Sequence, residues 1–183
     1  MSRGACLVVA ALLLTGCSGS DEPSPVQGAD QTNSGAAVAE RSTEVIVEQT
    51  VADPAAPDDQ VTIGVQSLTV EGTTMVLRLI VTPDFASTSD SEEISLADAW
   101  GTGALRFGVT LRLLDRENLK EYSVIADTSG QRWASDNSDE VSSTNGEPMY
   151  VFAVFAAPED DIDSVDLLLR EVWPEFSDVP ITR

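Results

Sequence analysis

The sequence predicts an all-β protein of antiparallel strands, and three observations carry the prediction. Between Val61 and Arg183 the dominant hydrophobic period is two, turn residues separate the strand-like runs at short intervals, and no stretch has a helical period of comparable strength. A strand sends successive side chains to opposite faces, so an apolar residue at every second position marks one buried face.

Ahead of that region, Arg3 precedes an apolar run from Ala5 to Leu14, too short to cross a bilayer as a helix but suited to the core of a secretory signal. It ends in Leu14-Thr15-Gly16-Cys17, followed by Ser18-Gly19-Ser20. Apolar run, small pair and Cys in this order resemble the lipobox of bacterial lipoproteins. The resemblance implies that residues 1–16 are a signal peptide removed before Cys17, and that the Cys17 thiol carries a diacylglyceryl thioether. Cys6 lies inside the apolar run, so the processed chain would keep one Cys and could form no internal disulfide. Two or more acyl chains on Cys17 suffice for stable anchoring, which places the protein on the extracytoplasmic face of a cell membrane.

Residues 17–60 are rich in Ser, Ala, Gly, Pro, Asp and Gln and have no aromatic side chain. They are expected to form a largely disordered tether, because they offer too little apolar surface to offset the entropy of ordering. A flexible stretch of roughly forty residues has an end-to-end distance of about 35 Å. Within it Glu44-Val45-Ile46-Val47-Glu48 has β character and predicts a possible edge strand at 44–50, with Pro54 and Pro57 breaking the pattern afterwards.

Residues 61–183 are of a size for one domain with its own core. Val61, Ile63 and Val65 alternate, then the phase slips at Gln66-Ser67 to Leu68 and Val70, as a β-bulge would allow. Glu71-Gly72 predicts a turn into Thr74–Thr82, with Met75, Leu77, Leu79 and Val81 on one face and Arg78 on the other. In Leu105–Leu113 every odd residue is large and apolar. Tyr122-Ser123-Val124-Ile125 is a shorter strand candidate. Met149–Ala157 is apolar on both faces, the pattern of a central strand, and Val165, Leu167 and Leu169 alternate with polar neighbours. Six or seven strands at this spacing predict an immunoglobulin-like antiparallel β-sandwich without the disulfide of antibody domains.

The segments Leu114–Tyr122 and Phe155–Asp160, followed by Val165-Asp166 and Asp178-Val179-Pro180-Ile181, resemble an immunoglobulin-like module of lipoproteins and envelope proteins in high-GC Gram-positive bacteria. In some of those proteins the module precedes an OmpA-like peptidoglycan-binding domain. No such domain follows the matching segments here, so direct peptidoglycan binding is not implied. The resembling residues read as turn chemistry rather than as an active site.

Ten basic and 31 acidic residues give a net charge of −21, which disfavours nucleic acid and electrostatic docking on anionic headgroups. The chain has no His, and its mature Cys would be acylated, which removes His-assisted nucleophiles and the usual zinc sites. Gly101-Thr102-Gly103 lacks the remaining residues of a phosphate loop. Asp136-Asn137-Ser138-Asp139-Glu140, and Glu159-Asp160-Asp161 with Asp163, have oxygen ligands suited to Ca²⁺ but not EF-hand spacing, and read equally as solvated turns. No metal or cofactor is expected. Trp100, Trp133 and Trp173 fall at or near loops, where they would either cap the core or anchor a partner; capping is the expectation.

The function expected from these residues is that of a lipid-anchored, non-catalytic binding or adaptor module of the cell envelope. It would be held in the membrane through Cys17 and would engage another envelope protein or a wall polymer. A structural spacer without a specific ligand is the alternative, and a carboxylate-based hydrolase ranks last, since acids this abundant make some close pair inevitable.

Overall fold

A computed structural model describes residues 44–53, 56–101, 111–135 and 141–183. The expected signal peptide, Cys17, the tether up to residue 43, positions 105–110 of one expected strand and the acidic run 136–140 lie outside the described residues.

The described elements are β1 (Val47–Asp53), β2 (Ala56–Glu71), β3 (Thr74–Phe85), β4 (Glu93–Ser95), a single helical turn α1 (Leu96–Ala99), β5 (Arg112–Asp115), β6 (Lys120–Ser123), β7 (Ser142–Thr144), β8 (Met149–Ala156), β9 (Ser164–Leu168) and β10 (Phe176–Pro180). The fold is all-β and its strands pair antiparallel. One four-stranded sheet has the order β1-β2-β3-β8, a second has β10-β9-β5-β6, and β4 pairs with β7.

The β2–β3 hairpin follows the alternation closely. Glu71 pairs with Thr74 across a two-residue loop, and Gly72 takes φ 66°. A positive φ at the first loop position costs glycine little, and it matches the twist of the flanking strands. The register shifts between Val65 and Ser67, so Gln66 is the extra residue of a bulge and both Val65 and Leu68 are buried. Without the bulge one half of β2 would turn its apolar set to solvent. Thr182 covers the edge of β2 beyond the bulge: its N–H donates to Leu68 O and its carbonyl accepts from Val70 N–H, both at 2.8 Å.

Pairing begins ahead of Val61. β1 is an edge strand whose residues from Val47 to Ala52 face Val65 to Gln60, and β2 already pairs at Ala56. Pro57 is tolerated because it lies near the start of β2, outside the ladder with β1 that resumes at Gln60.

β8 differs from the expectation of a strand apolar on both faces. Met149, Val151, Ala153 and Phe155 are buried, but Phe152 is 43% exposed. Only one face of β8 meets the core, and its free edge is covered by the irregular segment 124–135 rather than by a long strand. The inner faces of both four-stranded sheets contribute to one buried cluster, with Ile63, Leu77 and Leu79 from one and Leu113, Leu167 and Val179 from the other.

α1 was not expected. Ser95 caps it by accepting from Asp98 N–H at 3.1 Å while its hydroxyl donates to the Asp98 carboxylate at 2.7 Å.

Candidate functional site

The three tryptophans separate into two groups. Trp100 is fully buried after α1 and Trp173 is 6% exposed; their ring centroids lie 5.8 Å apart at 45°, and the Arg170 guanidinium lies 4.7 Å from the Trp173 ring centre. These two rings are part of the core, and their indole N–H groups have no hydrogen-bond partner among the described residues. Trp133, by contrast, is 53% exposed, so core capping holds for two of the three.

Trp133 is held outward by a folded-back segment. Asp127 accepts from Ser129 N–H at 2.8 Å, from the Ser129 hydroxyl at 2.6 Å and from Gln131 N–H at 2.9 Å, and Gly130 turns the chain at φ 86°. The Ser129 hydroxyl and the Gln131 amide hold the Asp127 carboxyl below its ordinary pKa. Trp133 N–H then donates to Ile125 O, closing the two limbs. Both limbs bond to β8: Ile125 N–H donates to Val154 O at 2.8 Å, Val154 N–H to Trp133 O at 2.9 Å, and Ser135 N–H to Phe152 O at 3.0 Å. Ala134 opposes Ala153 and packs on the core, so Trp133 and Ser135 fall on the outer face.

The register assembles that outer face. Arg78 on β3 opposes Phe152, Val76 opposes Val154, and on β2 Ser67 opposes Arg78 while Thr69 opposes Val76. None of these residues is acidic; on the same face of β2, β3 and β1 the carboxylates start at Glu71, Asp84 and Glu48. Arg78 is exposed and makes no ion pair among the described residues. The outer face thus carries two exposed aromatic rings and one guanidinium.

Several carboxylates elsewhere are engaged in turns and straps. Asp166 is buried, bonds to Arg116 Nε and accepts from Asp178 N–H at 2.9 Å, while Arg116 also binds Glu175 at 2.6 Å. Asp115 accepts from both the backbone and the side-chain amide of Asn118 at 2.9 Å, and Leu119 closes that turn at φ 54°. The Asn118 N–H bond holds the Asp115 carboxyl below its ordinary range. Hydrogen bonding to Asp166 raises the pKa of Arg116, and hydrogen bonding to Asp160 raises that of Lys120. The segments around 114–122, 155–160, 165–166 and 178–181 are thereby brought together at one end of the second sheet.

Of the acids weighed for Ca²⁺, Asp160 pairs with Lys120 and Asp161 lies 4.0 Å from Arg183. Among the described residues no group of three or more acids, Cys or His is placed to hold a metal ion. Asp115 and Asp127 are displaced downward, opposite to the shift a general acid needs. A cleft of about 220 Å³ is lined by Asp59, Phe85, Asp98 and Trp173 among others. Its two carboxylates are occupied, Asp59 by Ser87 and Asp98 by Ser95.

No protein-family model, curated protein or solved structure matches this chain. Phe152 escaped sequence reasoning because an apolar residue inside an apolar strand carries no local mark of its face. Its even number, out of phase with Met149, Val151, Ala153 and Phe155, was the available signal.

Proposed function

We propose that the chain is a lipid-anchored lipoprotein on the extracytoplasmic face of a cell membrane. Its domain, an immunoglobulin-like antiparallel β-sandwich, serves as a non-catalytic binding or adaptor module of the envelope. Leu14-Thr15-Gly16-Cys17 supports the anchor. The observation that carries the binding reading is the exposure of Trp133 and Phe152 on the outer sheet face, with the Trp133 segment held there by backbone hydrogen bonds. Two large rings left in water forgo burial, which is the composition of contact surfaces rather than of solvated ones.

Crosslinking in living cells, with fractionation, compares the wild type with Cys17→Ala. A lipid-modified peptide beginning at Cys17 and a partner lost with the anchor are the expected results. An anchored chain that crosslinks to nothing reproducibly would instead favour the hydrated spacer, whose acidic surface needs no ligand.

A further inference from the structure

Asn145 is the one Asn of the chain that precedes a glycine; Asn33, Asn118 and Asn137 precede Ser34, Leu119 and Ser138. The side-chain amide of an Asn is open to attack by the backbone nitrogen of the next residue, which closes a cyclic imide. Only glycine brings no side chain to hinder that approach, so Asn-Gly is the labile pair.

The fold holds both reactants apart. Asn145 lies in the β7–β8 connection and stands in for a strand at the end of β3: its Oδ1 accepts from Phe85 N–H at 2.8 Å and its Nδ2 donates to Phe85 O at 3.0 Å. Gly146, at φ 79°, donates its N–H to Pro83 O at 2.8 Å. These three bonds continue the β3–β8 ladder past its last strand pair, Val81 with Met149. The amide that must be attacked is thereby tied to Phe85, and the attacking nitrogen is tied to Pro83.

We propose that Asn145-Gly146 is a hydrolytic modification site gated by this clamp, slow while the clamp is closed and irreversible after it has opened. In the opened turn Gly146 N loses its proton and attacks Asn145 Cγ; the Cγ–Nδ2 bond breaks, and the nitrogen leaves as ammonia with a proton to replace the one given up. Water then adds across one imide C–N bond, its hydroxyl going to carbon and its hydrogen to nitrogen. Addition at Cγ leaves an aspartate at position 145, and addition at the Asn145 backbone carbonyl leaves an isoaspartate that lengthens the main chain. Neither product keeps the side-chain amide, so Phe85 O loses its donor and the clamp cannot re-form as before. The reaction needs only this chain and water, and it does not depend on what the binding module recognises.

Ageing of the full chain at mildly alkaline pH tests it, with and without guanidinium chloride at an unfolding concentration. Mass spectrometry of the peptides reads the exchange of NH for O at position 145. Unfolding should speed that exchange at least about tenfold, because the rate in the folded chain is scaled by the fraction of time that the clamp is open. The slowing in the folded chain should match, within a few-fold, the hydrogen-exchange protection of Gly146 N–H, since both reactions wait for the same opening. The aged chain and an Asn145→Asp variant should both show faster exchange at Gly146 and a lower melting temperature. Equal rates in folded and unfolded chains, or no mass gain in either, overturns the proposal. So does an aged chain or Asn145→Asp variant in which Gly146 keeps its wild-type protection, because the clamp would then survive the reaction.

Discussion

Val45 lies over Gly64, so closely that a β-carbon at position 64 would overlap the Val45 Cγ1 methyl. Gly64 is on the outward face of β2, opposite Ile80, and its missing side chain is the slot through which the chain reaches its first strand. Beside it Ile46 N–H donates to Val65 O at 2.7 Å, fixing the entry to β1.

Gly64→Ala should therefore lift Val45 off the sheet. The expected cost is about 1–3 kcal/mol, with faster hydrogen exchange at Ile46 and little change at Leu77 or Leu79. Exchange that stays slow at Ile46 would mean that the contact does not hold the strand.

Leu79 and Phe152 both belong to the first sheet yet should respond by very different amounts. Leu79 is fully buried, so Leu79→Ala should cost about 2–5 kcal/mol in a denaturant titration. Phe152→Ala, at a residue 43% exposed, should cost no more than about 1 kcal/mol.

The three tryptophans should differ in solution. Acrylamide, being uncharged, reaches any exposed indole despite the acidic surface, so it should quench Trp133 strongly and Trp100 and Trp173 weakly. Trp133→Phe should remove most of the quenchable emission. Quenching left unchanged by that substitution would contradict the burial of the other two.

Asp115 and Asp127 have pKa values lowered by native hydrogen bonds, so both contribute stability that is full above their unfolded values. That contribution is lost as pH falls below the ordinary aspartate value of 3.8. Protonation also relieves repulsion within a chain of net charge −21, so the informative quantity is the difference between wild type and variant. The gap in melting temperature between wild type and Asp115→Asn should shrink on acidification from pH 6 toward about pH 2, and likewise for Asp127→Asn. A gap independent of pH would show that the Asn amide replaces the carboxylate fully.

Removing Arg116 should expose the cost of the buried Asp166. Arg116→Ala leaves that carboxylate with the Asp178 N–H but without its guanidinium, and should destabilise the β9–β10 end, read as a lower melting temperature. The double variant Arg116→Ala with Asp166→Asn should recover part of the loss. Failure to recover any would place the role of Asp166 in its bond to Asp178 alone.

The sequence alone determined what depends on neighbours a few positions away. Alternation marked the buried face of β3, the phase slip at Gln66 located the bulge, and Gly72 located the hairpin turn, because a pleated backbone converts spacing directly into facing. The signature at Cys17 is equally local, and carries the anchoring expectation by order of residues alone. The Ser-x-x-Asp signal of α1 was legible too, but it spans one turn and was outweighed by the surrounding strands.

Tertiary structure decided the rest. Whether Trp100 or Trp133 meets water depends on what lies across from each ring, and that is set by pairings between residues far apart in the chain, such as Ala134 with Ala153. Asp166 looked like a solvent-facing partner in an alternating strand, yet it is buried because Arg116 and the Asp178 N–H reach it from other elements. The outer face that carries Trp133, Phe152 and Arg78 is visible only once β2, β3, β8 and the 133–135 segment stand side by side. Local spacing tells a strand which residues share a face, but only the packing of distant segments decides which face is left in water.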